Sequence, residues 1–156
     1  MYGHTEVWTD GACIRNGSED AAGGMGIFAP DLDLHKAIPW YSEDTVPTNQ
    51  RCELLAAIIA LRDIGGDVII HTDSEYMVRG MNEWVTKWME NGWKNARRKE
   101  VKHVDLWKKL VSLCANRDVV FRHVRGHSGD YGNEKADKLA YSAAVQHEMS
   151  NLAAFC

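Results

Sequence analysis

The segment Val68-Ile69-Ile70-His71-Thr72, followed directly by Asp73-Ser74, is the most informative part of the sequence for the fold class. A short apolar run of this kind is typical of a parallel strand that is buried on both faces of its sheet. Asp and Ser often cap helices, so the two residues after the run predict a turn into a helix. A buried parallel strand needs partner strands, and the rest of the chain must supply them.

Three β-like segments precede this strand. Residues 5–9 alternate into a strand that stops at Asp10-Gly11, and residues 23–28 and 34–41 form two further runs around a Pro-Asp turn signal. The pattern predicts an antiparallel meander. Pro39 lies within the third run, and because proline has no N–H to donate, the third strand is predicted at the edge of the sheet.

Helical segments alternate with strands elsewhere. Leu54, Ile58 and Leu61 form one stripe of a helix that begins after Thr48-Asn49 and stops at Gly65-Gly66. The order β-β-β-α-β-α-α-β-α predicts the α/β class: a five-stranded mixed sheet, with three antiparallel strands and then parallel additions, flanked by helices. We expect one domain over residues 1–145 and a C-terminal tail, 146–156, without assigned structure. Helical spacing continues after the buried strand, through Trp84 and Trp88 and again over 104–114. The chain then has a predicted strand over 119–124, a loop with Gly126, Gly129 and Gly132, and a helix over 133–145.

Length and composition limit the class of protein. The chain has 156 residues, 45% of them hydrophobic and 26% charged, which suits one core and one domain. No apolar run approaches the roughly 18 residues of a membrane span, and the first residues lack the features of a signal peptide. The sequence therefore predicts a soluble, intracellular, cytoplasmic chain, a monomer with no obligate protein partner. The four cysteines, at 13, 52, 114 and 156, form no C-x-x-C pair and are predicted to be reduced thiols.

Charge is distributed unevenly along the chain. The formal net charge is −4, from 18 Lys and Arg against 22 Asp and Glu. Between Trp84 and Lys109, eight basic residues against three acidic ones give +5, which leaves −9 for the remainder. A protein with an acidic body and one basic block is expected to meet a polyanion through that block.

Four carboxylates occupy positions that can converge. Asp10 and Asp73 end predicted strands, and Glu53 and Asp137 lie near the starts of two helices. Ligands gather beyond the carboxyl ends of parallel strands, so the four side chains can form one oxygen-rich pocket that favours Mg²⁺ or Mn²⁺. A pair of such ions suits phosphodiester hydrolysis. Taken singly, each acid also fits a cap or a solvated charge.

The local strings around these acids resemble the type 1 ribonuclease H family in order and spacing, from about Thr5 to Ala144. The resemblance implies the ribonuclease H fold and endonucleolytic cleavage of the RNA strand of RNA–DNA hybrids with two divalent ions. It matches Asp10, Glu53, Asp73 and Asp137 to the metal-binding quartet and His127 to a histidine in a mobile loop. The strings are Thr9-Asp10-Gly11-Ala12-Cys13, Asn49-Gln50-Arg51-Cys52-Glu53-Leu54-Leu55-Ala56-Ala57, Thr72-Asp73-Ser74-Glu75-Tyr76, Gly126-His127-Ser128-Gly129 and Gly132-Asn133-Glu134-Lys135-Ala136-Asp137-Lys138-Leu139-Ala140.

Histidines receive different interpretations. His127 lies in a glycine-rich loop, and a histidine can exchange a proton near neutral pH, so it is expected to assist proton transfer or product release. A surface histidine without a role is the alternative. His71 and His123 fall within predicted strands and are interpreted as packing residues.

A second resemblance concerns the basic block. It is similar to the basic handle of cellular-type ribonucleases H, which grips the DNA strand, and aromatic rings among cations suit a sugar-phosphate groove. Core packing is the alternative for its tryptophans, and a solvated surface is the alternative for its cations. We interpret Trp107 as a core residue. The candidate substrate contacts in the handle, residues 84–102, are Trp84, Trp88, Lys94, Arg97, Arg98, Lys99 and Lys102.

Further candidate contacts lie beside the acids. Asn16, Thr48, Asn49 and Gln50 resemble family positions that touch the backbone or minor groove, where amides and hydroxyls can read the RNA 2′-OH. Turn formation and helix capping are the alternatives. The sequence departs from the family at three places. Two acids, Glu19 and Asp20, occupy a turn that is often Pro- and Gly-rich, Glu75 replaces a common amide, and His103 replaces a common Asn.

Two other classes of function compete with a hybrid-specific nuclease. One is a resolvase, integrase or exonuclease on the same fold. The other is a catalytically silent protein that binds hybrid or duplex RNA.

Overall fold

The computed structural model describes residues 3–154. Its strands are β1 (Thr5–Ile14), β2 (Ala22–Ala29), β3 (Leu34–Pro39), β4 (Val68–Thr72) and β5 (Val119–His123). They form one sheet in the order β3-β2-β1-β4-β5. β3, β2 and β1 are antiparallel neighbours, whereas β4 is parallel to both β1 and β5. The predicted five-stranded mixed sheet is confirmed, and β3, which contains Pro39, is an edge strand as expected.

Helices flank this sheet, and one π-helical turn interrupts them. Thr48 begins the first helix by accepting a hydrogen bond from the Arg51 N–H at 3.1 Å, and Ser74 begins the second by accepting one from Met77 N–H at 3.1 Å. The elements are α1 (Asn49–Asp63), α2 (Glu75–Arg79), the π-helical turn Gly80–Trp84, α3 (Val85–Asn91), α4 (Val104–Cys114) and α5 (Tyr131–Ala153).

The two long helices, α1 and α5, lie on opposite faces of the sheet. Successive residues of a strand point to opposite faces. Gly11, which pairs with Met25 across β1 and β2, meets the backbone of α1, whereas Gly24 and Gly26 meet α5. A Cβ atom at Gly26 would overlap the carbonyl oxygen of Ala136, so glycine is what permits the close approach of α5.

The main core lies on the α1 side, with α4 packed outside α1. Leu54, Ile58 and Leu61 are buried, as the helical stripe predicts. Trp107 of α4 has no exposed surface, which confirms its interpretation as a core residue. Its ring lies against Gly80, where a Cβ atom would overlap it. The site residues described below are therefore supported by a continuous packed layer.

β1 is longer than its sequence pattern indicates. Its parallel pairing with β4 ends at Trp8 opposite His71, but its antiparallel pairing with β2 continues to Ile14 opposite Ala22. The prediction that the strand stops at Asp10 is therefore wrong. Asp10 nevertheless lies just beyond the parallel pairing, at the end of the sheet where β4 ends and Asp73 follows.

α5 is also longer than predicted. It begins at Tyr131, with the Asp130 carboxylate accepting the Asn133 N–H at 2.8 Å, and it continues to Ala153. Gly132 therefore belongs to the helix and not to the loop. Residues 146–153, which the sequence left as an unassigned tail, are helical. This part of α5 contacts the sheet, where the Gly23 N–H donates to His147 Nδ1 at 2.9 Å. The last two residues lie outside the described range.

The remaining expectations have mixed outcomes. Cys13, Cys52 and Cys114 are free thiols, as predicted, and Cys156 lies outside the described residues. His71 is buried and stacks on Trp8, which confirms a packing role. The same interpretation of His123 is wrong, since it is exposed at the end of the edge strand β5. Between residues 3 and 154, none of the helices has the length and apolarity to cross a bilayer.

Candidate active site

Three carboxylates meet at the end of the parallel ladder. Asp10 comes from β1, Glu53 from α1 and Asp73 from the turn after β4, and one oxygen of each lies within 4.8 Å of the others. They line a cavity of about 410 Å³ together with Asp137 of α5. Asp137 is near enough to Asp10 to help raise its pKa. The structure thus brings together all four acids that the sequence singles out.

Local packing explains how the acids come so close. A Cβ atom at Gly11 would overlap the backbone N of Glu53, so glycine at this position lets α1 reach β1. The Asp10 carboxylate accepts the Gly11 N–H at 3.0 Å. Asp73 accepts a hydrogen bond from the Asn133 amide at 3.3 Å, which fixes one of its oxygens from α5.

The electrostatics of this cluster are unfavourable without a cation. Desolvation of Asp10, which is 3% exposed, together with repulsion from Glu53, raises the pKa of Asp10 to about 11. Desolvation also raises the pKa of Glu53 to about 8. One Glu53 oxygen, Oε2, is buried without a hydrogen-bond partner among residues 3–154. An all-oxygen set with a free buried acceptor fits hard divalent cations such as Mg²⁺ or Mn²⁺.

His127 and the start of α1 form the rim of the cavity. His127 is exposed and lines the cavity from the loop after β5, where its φ of 56° gives it a left-handed backbone. Asn49 and Gln50 also line it. Asn16 joins them indirectly, because its side-chain oxygen accepts the Asn49 N–H at 3.1 Å. Thr48 caps α1, which is compatible with both of its interpretations, and it does not line the cavity.

The comparisons with known proteins agree with this arrangement. Residues 3–145 match the family model described as RNase H. The chain belongs to the ribonuclease H family. It is 44% identical over 142 residues to the ribonuclease H of Francisella philomiragia and 45% identical over 142 residues to that of Francisella tularensis subsp. novicida, covering 90% of each chain in both cases.

Solved structures resemble this chain over most of its length. One is LC9-RNase H1, described as a type 1 RNase H with the type 2 active-site motif, with a TM-score of 0.72, 29% identity, and coverage of 93% of this chain and 74% of that one. Another is the foamy viral protease–reverse transcriptase in complex with dsDNA, with a TM-score of 0.75, 32% identity, and coverage of 90% and 94%. The same viral protein is also solved with an RNA/DNA hybrid, at a TM-score of 0.73 and 28% identity, where 90% of this chain matches 20% of that one.

The ribonuclease H handle of this chain is an exposed basic loop on an aromatic base. Asn95 Oδ1 accepts the Arg97 and Lys99 N–H groups at 2.9 and 3.1 Å, which holds the loop in a tight turn. Each of its five candidate cations is exposed and forms no ion pair within residues 3–154. These cations are Lys94, Arg97, Arg98, Lys99 and Lys102.

The handle tryptophans pack mainly on one another. Trp88 is half-buried, and its ring centroid lies 5.8 Å from that of Trp84, 6.2 Å from that of Trp93 and 5.4 Å from that of Trp107. This geometry supports the core-packing alternative for Trp88 and Trp93. The ring centroid of Trp84 lies 5.9 Å from that of Tyr76 and 5.7 Å from the guanidinium carbon of Arg79. Trp84 therefore joins the handle to α2.

The structure locates two of the departures from the ribonuclease H pattern. In the acidic turn, Arg15 forms ion pairs with Asp20 and with Glu148 of α5, so the turn is engaged within the protein. Glu75 is exposed and lines the cavity near Asp73, which adds a fifth carboxylate to the rim.

Two supporting residues escaped the sequence analysis. Asn133, 3% exposed, orients Asp73, although it stands within one of the family strings. Tyr76 lines the cavity, and its hydroxyl accepts the Trp107 indole N–H at 3.2 Å, which links the cavity to the base of the handle. Asn133 carried a signal in its four-residue spacing before Asp137, whereas the partner of Tyr76 is distant in sequence.

Proposed function

We propose that this chain cleaves the RNA strand of RNA–DNA hybrids endonucleolytically with two divalent ions, Mg²⁺ or Mn²⁺, held by Asp10, Glu53, Asp73 and Asp137. Membership of the ribonuclease H family makes it a hydrolase that acts on the RNA of such hybrids. The observation that carries the finer assignment is the convergence of three acids within 4.8 Å in a cavity that the fourth also lines.

The protein side of the mechanism follows from the geometry. The bound ions would supply activation of the attacking water and stabilisation of charge on the leaving 3′ oxygen. Asp10 and Glu53, with their raised pKa values, give up protons when cations enter. Asn133 keeps one Asp73 oxygen oriented. His127, exposed on the rim, holds or moves a proton or helps product to leave.

The substrate surface would combine two sets of residues. Asn16, Asn49 and Gln50 supply amides, which would read ribose and minor-groove atoms, with Thr48 holding the start of α1. The exposed cations of the handle, which joins the start of α1 through His103, supply phosphate contacts to the DNA strand. Two solved structures that resemble this chain, the foamy viral protease–reverse transcriptase with dsDNA and with an RNA/DNA hybrid, support nucleic acid as the ligand.

The setting of the reaction is part of the proposal. We propose that the protein acts as a monomer in the cytoplasm. The free thiols of Cys13, Cys52 and Cys114 suit the reducing cytoplasm, where RNA–DNA hybrids would be the partner.

Cleavage assays with end-labelled substrates test the proposal. We expect cuts within the RNA strand of a hybrid in the presence of Mg²⁺ or Mn²⁺, and none with EDTA. Equal cleavage of duplex DNA would favour a resolvase, integrase or exonuclease activity. Binding of hybrid without any cleavage in either metal would identify a silent binder and contradict the proposal.

A further inference from the structure

His103 forms a bridge between the handle and the start of α1. It is the residue before α4 and adopts a left-handed backbone with φ of 58°. Its Nδ1 lies 3.3 Å from Arg51 Nη1, and its Nε2 lies 3.3 Å from Gln50 Oε1. Arg51 is itself fixed, since its two terminal nitrogens bind the two oxygens of Asp105 at 3.2 and 2.7 Å.

These contacts define the tautomer of His103. A guanidinium group can only donate hydrogen bonds, so Nδ1, which faces Arg51, must accept. The ring proton therefore lies on Nε2 and is donated to the Gln50 carbonyl oxygen. Burial and the nearby Arg51 charge lower the pKa of His103, which favours this neutral form.

The bridge determines what Gln50 can offer to a ligand. Gln50 is exposed and lines the cavity beside Glu53. Because its carbonyl oxygen is turned toward His103, the Gln50 side chain presents its NH₂ group to a ligand. Gln50 is thus prepared to donate to an acceptor atom of the substrate, such as a ribose oxygen or a minor-groove base atom.

We propose that His103 is a positioning residue that holds the Gln50 side chain with its NH₂ group toward the hybrid. This inference rests on the proposed function, in which Gln50 contacts substrate. The contact with Gln50 depends on the length of the histidine side chain. The amide of an Asn at this position would end near the place of Nδ1 and could face Arg51 but not reach Gln50, whereas the amide of a Gln would extend to the place of Nε2.

Paired substitutions of His103 test the bridge. His103→Asn and His103→Gln carry the same amide and differ by one methylene group. We expect His103→Asn to raise KM for the hybrid by about 3- to 10-fold, the size of one neutral hydrogen bond, with kcat unchanged. His103→Gln should restore KM to within about 2-fold of the parent, because it supplies the donor again. A merely structural role would not distinguish the two amides in this way.

Folding does not prevent the test. Asn is tolerated in the left-handed conformation, and His103→Gly accepts the same backbone while it also lacks the donor. His103→Asn and His103→Gly should therefore raise KM by similar factors. The assays are run well below the melting temperature of every variant. His35→Asn serves as the matched control, since His35 lies in β3 away from the cavity, and it should leave KM and kcat unchanged.

A double-variant cycle with Gln50→Ala separates the possible failures. If His103 acts through Gln50, then His103→Asn has no further effect on KM once Gln50 is Ala. Effects that multiply would overturn the positioning role and leave Gln50 as a substrate contact. An unchanged KM in Gln50→Ala alone would remove Gln50 from the proposed substrate surface and overturn the inference with it. The metal site is judged independently, by cleavage in Asp10→Asn.

Discussion

The acidic cavity and the basic handle are built on opposite principles. Asp10 is buried, Glu53 has a buried oxygen, and the raised pKa values of both show that charge on them is unfavourable. The close approach of β1 and α1 fixes the two acids. The handle cations Arg97, Arg98 and Lys99 are exposed on a loop and free of ion pairs within residues 3–154. Buried groups with shifted pKa values mark sites of chemistry, whereas exposed cations contribute affinity through many small additive terms.

This contrast separates two kinds of mutational effect. A change of one cavity acid should remove turnover while the groove still binds. A change of one handle cation should weaken binding while each bound substrate is still cleaved at the normal rate. Experiments that measure kcat, KM and stability separately can therefore break the contrast or sharpen it.

The largest effect is expected for Asp10→Asn. The substitution removes one negative charge from the cluster but retains the shape of the side chain, so it should abolish measurable turnover and leave hybrid binding intact. Single-turnover cleavage and a binding titration measure the two quantities. Asp31→Asn, an exposed acid on the turn before β3, is the matched control. Cleavage near the parent rate in Asp10→Asn would show that the cavity is not the catalytic centre.

A smaller effect is expected for His127→Ala. An exposed imidazole on the rim should assist the reaction without holding the metal ions, so turnover should fall on the order of 10²-fold with little change in affinity. The measurement is kcat and KM from pH 6 to 9. His123→Ala, an exposed histidine at the end of β5, is the control. Equal kcat for parent and His127→Ala over this whole range would remove His127 from the mechanism.

The handle should respond through binding alone. Replacement of Arg97, Arg98 and Lys99 with Ala should raise KM by about 10-fold or more at moderate salt, since each lost phosphate contact lowers the salt slope by somewhat under about one unit. KM measured over a series of salt concentrations gives both quantities. An unchanged KM and salt slope would show that the handle is only a solvated surface and that affinity comes from the Asn49 and Gln50 side.

Trp88→Ala provides the structural contrast within the same handle. Its ring contacts those of Trp84, Trp93 and Trp107. Because the ring is half-buried, its loss should lower the free energy of unfolding by about 2 kcal/mol, and the melting temperature should fall with it. The triple Ala variant should melt as the parent does. An unchanged melting temperature with a raised KM in Trp88→Ala would instead assign the ring to the hybrid.

The sequence predicts much of this architecture because its local signals agree. Alternating strands, the helical stripe of Leu54, Ile58 and Leu61, and Pro39 at an edge all appear in the structure. The end of β1 was predicted too early, because the residues up to Ile14 belong to the strand only through their pairing with β2. The last turns of α5 were missed for a similar reason, since His147 docks on Gly23, 124 residues away.

The site shows the same division. The four acids could be predicted to converge, because strand ends and helix starts share one edge of a parallel sheet. The contacts that orient them could not. Asn133 to Asp73 and His103 to Gln50 join elements whose spacing depends on the complete packing, and no local pattern reports it. Chemistry-bearing residues are therefore more predictable than the residues that position them.

A further effect is expected on the stability of the metal-free protein. In EDTA, folded Asp10 and Glu53 retain protons above their ordinary pKa values of 3.8 and 4.5, up to about 11 and about 8. The folded state therefore binds more protons than the unfolded state, and these two groups lower the free energy of unfolding as pH rises. Their contribution is complete below about pH 4 and is lost progressively through pH 8 and above.

Asp10→Asn should consequently be more stable than the parent in EDTA, by a margin that grows from pH 5.5 to pH 8. His103 and His147, whose pKa values are lowered, change stability in the opposite direction, but they titrate alike in both proteins and cancel in the difference. Addition of Mg²⁺ should stabilise the parent most at pH 8, where cations replace the fewest protons, and much less in Asp10→Asn. A margin that is flat in pH for Asp10→Asn would mean that the acids of the cavity are ionised at no cost without metal. The contrast between an electrostatically unfavourable cavity and an unstrained handle would then not hold.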